Sequence, residues 1–388
     1  MPLDLDRIRA DTPGVAHVAH LNNAGAALPP RAVTDTVIAH LEREATIGGY
    51  EAAAEAAERT AAVYDSIARL VGADRQEIAV VENATRAWDM AVYGYPFRAG
   101  DRVLTARSEY ASNAIALLQL RRHHDLEIVV VDDDEHGQID LDALDAELER
   151  GAAMVALTHV PTNGGLVNPA AEVGARCRAH GTYYVLDACQ AAGQLPLDVD
   201  ELGCDALAAT GRKFLRGPRG TGFLYVRDQW IGRLEPPVLD LLSAQWTAPD
   251  RYEIRADAVR FETWESSYAG RLGLGAAVDY ALEVGVDAGW ERLRNLGARL
   301  REQLGALAKV TVHDKGALRG GIVTFTVEGT DSMVVHAALE AAGVNTSVTN
   351  PAHGHFDGRG LPGLVRASVH YYNTEDELDR LVDVVAGL

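Results

Sequence analysis

Lysine is almost missing from this chain. Of its 36 basic residues only three are lysines, Lys213, Lys309 and Lys315, and the remainder are arginines. A guanidinium does not condense with a carbonyl, whereas a lysine amine does once it has lost its proton. Each lysine is therefore worth inspecting for that chemistry. Cysteine is scarce too: Cys177, Cys189 and Cys204 are an odd number without paired zinc-site spacing, which reads as reduced thiols in a cytoplasmic protein and predicts no metal site. No run of about 18 apolar residues is present, which excludes a membrane-spanning helix of ordinary length. The opening MPLDLDRIRADTPG lacks the basic patch and apolar run of a secretory signal. Positive charge is outweighed throughout, and a formal net charge of −20 opposes both nucleic acid and anionic membrane surfaces.

What is present is a composition suited to a large core. The 388 residues are 47% hydrophobic and 24% charged, enough for one large domain and a smaller one. Residues 31–47 and 51–71 read as helices broken at Gly48–Gly49. Short apolar runs then follow at Ile78–Val81, Val103–Ala106, Ile128–Val131, Met154–Thr158, Tyr183–Leu186, Ala206–Ala209 and Gly222–Val226, with amphipathic segments 112–124, 140–149 and 169–179 between them. Such alternation predicts an α/β fold with a mainly parallel seven-stranded sheet. From about residue 270 the pattern changes. A helical region to 307 precedes Val310–Val312, Ile322–Val327, helix 331–342, a strand at 344–348, Leu364–Ser368 and helix 374–386, an α+β arrangement.

Ligands of open α/β sheets sit at the carboxyl ends of the strands, so the residues just beyond the strands come next. ALAATGRKFLRGPRGTGFLYV (206–226) places Thr210, Arg212 and Lys213 after a strand. A lysine flanked by a hydroxyl and a guanidinium suits an aldehyde cofactor that carries a phosphate; a basic surface loop is the plain alternative. In YYVLDACQ, Asp187 ends a strand and Gln190 follows three residues later. A buried carboxylate needs a partner, here a pyridine nitrogen, a helix end or a metal. Glu82–Thr85 opens a helix, so the Ala84 and Thr85 region offers N–H groups and a hydroxyl for a phosphate, or a simple cap. Tyr110 in SEYASN has the shape to stack on a planar ring or to pack in the ordinary way. Arg366, within the apolar LVRASVHYYN, calls for a carboxylate, from a substrate or from an internal ion pair.

Taken together, these motifs resemble the class V aminotransferase group of fold-type I pyridoxal-phosphate (PLP) enzymes, from LNNAGAALPP (21–30) to RASVHYYNTEDELDRLV (366–382). The resemblance implies a large PLP-binding domain over 21–268, a smaller domain over 269–388, and an N-terminal segment, 1–20, packed with the latter. It implies that Lys213 is the Schiff-base lysine and general base, Asp187 the partner of the pyridine nitrogen, and Gln190 a contact of the phenolic oxygen. Tyr110 falls over the ring. Ala84, Thr85, Thr210 and Arg212 match phosphate-binding positions, although relatives often carry histidine where Arg212 stands. Thr162 or Asn163, in THVPTNGGLVNP, lies beside the cofactor. Arg366 clamps the substrate carboxylate, with Asn23 on the substrate side. Ser266 or Ser267 in FETWESS reaches the phosphate of a partner subunit, which implies a homodimer.

One departure sets the subclass. Cysteine desulfurases carry a nucleophilic cysteine before the final strands, where this chain has GVNTSVTNPAHGH (343–355) without one. The motifs look closest to hercynylcysteine sulfoxide lyase and related C–S lyases, which implies β-elimination of an S-substituted cysteine to pyruvate and ammonia. Epimerisation, transamination and decarboxylating oxidative deamination share the first proton removal and remain alternatives. A desulfurase is disfavoured, and a non-catalytic binding protein with the same fold is the alternative of a different class.

Overall fold

A computed structural model describes residues 3–388. Seven strands form its main sheet: β1 Ile78–Val81, β2 Arg102–Ala106, β3 Glu127–Val131, β4 Met154–Thr158, β5 Tyr183–Asp187, β6 Ala206–Thr210 and β7 Gly222–Val226. Every residue of β1 and of β4 through β7 is buried. Side chains alternate across a strand. Met154 and Ala156 therefore enter one apolar cluster, and Val155 and Leu157 enter the cluster on the other side. Tyr183 and Val185 against Tyr184 and Leu186 repeat the division on β5. Strands with two dry faces need helices above and below, hence the amphipathic connections.

The strand order is β1-β7-β6-β5-β4-β2-β3. All neighbours run parallel except β7, which is antiparallel to both β1 and β6. The carboxyl ends of β1, β2, β4, β5 and β6 thus share one edge.

A second, four-stranded antiparallel sheet contains β8 Val310–Val312, β9 Ile322–Val327, β10 Ser347–Val348 and β11 Val365–Ser368, in the order β8-β9-β11-β10. Arg366 lies opposite Thr324 on one side and Ser347 on the other. Near the amino terminus, Ala19–His20 pair in parallel with Val344–Asn345, and Asn22 bridges to Ser368.

Several boundaries differ from the sequence reading. The helix expected at 51–71 is two, Gly49–Glu55 and Ala57–Val71, and the region after 270 is also two, Tyr268–Val284 and Val286–Gly305. They meet at Gly285, whose φ of 89° is a conformation that glycine tolerates. The strand expected at 344–348 is two short pieces in separate sheets. A hairpin of Ala244–Ala248 and Arg251–Ile254 was not anticipated. None of its strand residues is buried, so it lacks the apolar face that marks the other strands.

Candidate active site

Three residues past β6, Lys213 is 6% exposed, and its Nζ lies 6.0 Å from the centroid of the Tyr110 ring. No carboxylate forms an ion pair with it among the described residues. The turn that carries it is fixed from both ends. Arg216, with φ of 62°, is fully buried and donates to the Leu28 carbonyl (2.8 Å) and the Tyr371 hydroxyl (3.1 Å). Its guanidinium also sits 4.7 Å from the Tyr372 ring centroid, a cation–π contact that anchors the turn to the SVHYYN segment. On the other side, Gly193 has φ of 80°, and a Cβ there would lie 2.5 Å from the Phe214 carbonyl oxygen. Only glycine lets the two segments approach so closely.

Asp187 ends β5 and is buried. Its Oδ1 accepts from the Cys189 N–H (2.8 Å) and its Oδ2 from Asn113 Nδ2 (2.8 Å). Burial pushes its carboxyl up, while these two bonds and the Lys213 charge pull the other way. Gln190 Nε2 donates to the Ala24 carbonyl and to Thr162 Oγ1, each at 3.1 Å, and its buried Oε1 has no partner. Thr162 Oγ1 also accepts from Arg366 Nη1 at 2.7 Å, so one hydroxyl joins the two sheets. Arg366 is otherwise held by neutral acceptors, the Thr162 carbonyl (3.1 Å), Ser347 Oγ (3.0 Å) and Asn22 Oδ1 (3.4 Å). Burial, then the charge of Arg212, pulls its guanidinium down to about 10. A cation held in this way, without an anion, has a site ready for one. Tyr110, Thr162 and Asn163 line the adjoining cleft with Arg107, His313 and Arg359.

The other sequence-predicted residues are engaged in local contacts. Asn23, expected on the substrate side, is fully buried. Its Nδ2 donates to the His20 and Ser368 carbonyls, and its Oδ1 accepts from the Tyr372 hydroxyl, so its amide belongs to the scaffold. Its neighbour Asn22 is the one that meets Arg366. Arg212, expected at the phosphate, reaches the Gly25 carbonyl, in the same turn as Asn22. Thr210 is buried and donates to the Thr221 carbonyl (3.2 Å). Ala84 and Thr85 open the helix Ala84–Tyr93, capped by Asn83, whose Oδ1 accepts from the Arg86 N–H. Ser266 and Ser267 line a separate small cavity with Glu82, Thr263 and Arg271. Ser267 Oγ caps the helix Tyr268–Val284 by accepting from the Gly270 N–H.

Sequence reasoning missed Glu109 and Asn113. Glu109 is 6% exposed, and burial pushes its carboxyl up to about 7. The four-residue spacing of Glu109 and Asn113 around Tyr110 was the available signal.

These residues fit PLP. The orphaned Gln190 Oε1, an amine without a counter-ion and a buried carboxylate beside them are the acceptor and donor set its ring and aldehyde require. The helix start at Ala84 offers free N–H groups to a phosphate.

The sequence matches the aminotransferase class-V family over residues 19–381. The chain belongs to that family, a group of PLP enzymes with this fold. It is 30% identical over 353 residues to a protein of Methanothermobacter thermautotrophicus described as a probable cysteine desulfurase, covering 88% of this chain and 87% of that one. The apo structure of a cysteine desulfurase from Thermococcus onnurineus superimposes with a TM-score of 0.92 at 25% identity, covering 100% and 99% of the two chains. A cystine C–S lyase bound to cysteine persulfide shares the fold, with a TM-score of 0.85 at 23% identity over 97% of this chain and 99% of that one.

Proposed function

We propose that this chain is a PLP-dependent carbon–sulfur lyase. In this reading it cleaves an S-substituted cysteine, or its sulfoxide, to a thiol or sulfenate, pyruvate and ammonia. The observation that carries the reading is a pair of cations, Lys213 beside the Tyr110 ring and Arg366 bonded to Thr162, with no carboxylate partner for either among the described residues. The first suits an aldehyde and the second a carboxylate, the two ends of an amino-acid reaction on PLP. The bound cofactor supplies an electron sink for the α-carbon.

The roles of the chain's own groups follow. Asp187 would hold the ring nitrogen of bound PLP and keep it protonated. Arg366 holds the substrate carboxylate, and Thr162 and Asn22 keep that guanidinium in place. Lys213 moves the α-proton. The β-sulfur then departs with its electron pair, and water converts the three-carbon remainder to pyruvate and ammonia. Ser266 and Ser267 would serve a second copy of the chain; they line a small cavity with Glu82 and Thr263, apart from the cleft beside Tyr110.

The cysteines favour a lyase over a desulfurase. Residues 343–363 contain none; Cys177 and Cys204 are buried within the core, and burial also pushes the Cys189 thiol up, away from the reactive thiolate. The desulfurase names of the relatives support the second reading. Incubation with S-alkyl cysteines and their sulfoxides decides between them. Pyruvate in step with thiol or sulfenate release, falling at least about 100-fold in Lys213→Ala, is the expected result. Alanine and sulfide from free cysteine with a thiol reductant, without pyruvate, would replace the lyase reading by the desulfurase one. Racemised substrate, or a keto acid formed only with an amino acceptor, would replace it by epimerisation or transamination.

A further inference from the structure

Glu109 occupies a position that fold stability alone does not explain. It is a buried carboxylate at the edge of the cleft, surrounded by hydrogen-bond donors and with no cation bonded to it among the described residues. Its Oε1 accepts from the Tyr110 N–H (2.7 Å), from Asn113 Nδ2 (2.9 Å) and from the Thr158 hydroxyl; its Oε2 accepts from the Thr105 hydroxyl (2.9 Å). The arrangement spans two adjacent strands, since Thr105 lies on β2 and Thr158 on β4. Thr158 is in turn directly opposite Asp187 in the β4–β5 register. A carboxylate present only to cap the helix Ala111–His124 would take backbone N–H groups of its first turn. Glu109 instead takes the Asn113 side chain, and that amide spends its other N–H on Asp187 Oδ2 at 2.8 Å.

We propose that Glu109 is a positioning residue of the cofactor site, acting through Asn113 on Asp187 and through its own chain neighbour on Tyr110. An asparagine amide can flip, presenting oxygen where nitrogen stood. Between two carboxylates the flip would set oxygen against oxygen on both sides, so Glu109 and Asp187 jointly fix the nitrogen inward. Asp187 keeps one acceptor bond to Asn113 and one to the Cys189 N–H, which would leave its remaining lone pairs for the ring nitrogen of bound PLP. The Tyr110 N–H, bonded to the same Glu109 oxygen, sets the start of the helix that brings the Tyr110 ring over Lys213. One buried side chain thereby fixes two groups that face the cofactor. The inference rests on the PLP reading of the site.

The test is the PLP dissociation constant and the visible circular dichroism of the bound cofactor, measured without substrate in full-length protein. Glu109→Ala is expected to weaken PLP binding about tenfold or more, the effect of losing a charge-assisted hydrogen bond. It should also reduce the dichroic amplitude, which reports ring orientation. Asn113→Ala should lose the part of the effect that runs through Asp187, and the double variant should be no worse than Glu109→Ala alone, because Asn113 lies on one of the two paths that Glu109 serves. Glu109→Gln should stay close to wild type in both readouts, since its amide oxygen still accepts from Asn113 and Tyr110. Folded Glu109→Ala with wild-type affinity and dichroism would overturn the proposal, as would additive losses in the double variant. If Glu109→Ala does not fold, Asn113→Ala decides: unchanged affinity and dichroism there would overturn it, and loss of both would support it. Failure of the wild-type protein to bind PLP is a different result, and would remove the cofactor reading itself.

Discussion

At the scale of single residues, the site is a matter of unpaired charge. Arg366 stands in a β-strand with only neutral acceptors, and Arg212 reaches the same turn, near Asn22 and Gly25, that receives it. Arg366→Ala is expected to raise KM for the amino acid about 10- to 100-fold, the cost of one or two charge-assisted bonds, while the visible spectrum of bound PLP persists. Loss of the cofactor spectrum instead would show that the guanidinium serves the fold. Arg366→Lys should recover little, because an ammonium cannot reproduce the planar fork. Lys213, Asp187, Gln190, Tyr110 and Thr162 could be picked out from the sequence because each follows a strand whose apolar run is easily recognised. Asn23 could not be separated from Asn22 in the same way. Adjacent asparagines point in different directions, and which one is spent on the Ser368 and Tyr372 contacts depends on chain segments some 350 residues away. Glu109 and Asn113 look like an ordinary helix start, and only the proximity of Asp187, brought in by strand pairing, gives them a further meaning.

At the scale of elements, the strands were legible because their two faces are both dry, and a continuous apolar run is the plainest signal a sequence carries. The hairpin at 244–254 was not legible, since Trp246 is 73% and Tyr252 53% exposed and nothing among the described residues covers them. Helix boundaries blurred for a related reason. Alanine-rich segments such as 51–71 favour helix throughout, and the break at Ala56 is set by packing rather than by a breaker residue. The turn that presents Lys213 is held by the close passage of Gly193 past Phe214. Gly193→Ala is therefore expected to destabilise the protein by about 1–3 kcal/mol, through its positive φ and the contact of the new methyl with backbone. It should also weaken PLP retention, because the lysine turn must shift. Thermal unfolding and a PLP titration check the two effects together, and a variant with unchanged melting temperature and unchanged affinity would show that the approach is not tight in solution.

At the scale of the whole molecule, Tyr50, Trp264 and Tyr268 are exposed around a groove of about 910 Å³, and the protruding hairpin adds the exposed Trp246 and Tyr252. No helix among the described residues is long and apolar enough to cross a membrane. A second copy of the chain would cover them, in keeping with the role assigned above to Ser266 and Ser267. Sedimentation should show a dimer, and Trp246→Arg with Tyr252→Arg should shift it toward monomer; a wild-type monomer at working concentrations would count against shared sites. Within one copy, the bridge at Thr162 has a consequence of its own. Its Oγ is gripped from one side by Arg366 and from the other by Gln190, so any carboxylate that draws the guanidinium toward itself must tug on the side chain we propose lies beside the vitamin. Even an inert amino-acid analogue, one that can dock but never react, should then alter the colour of the holoenzyme, which would make the protein an optical gauge of its own occupancy.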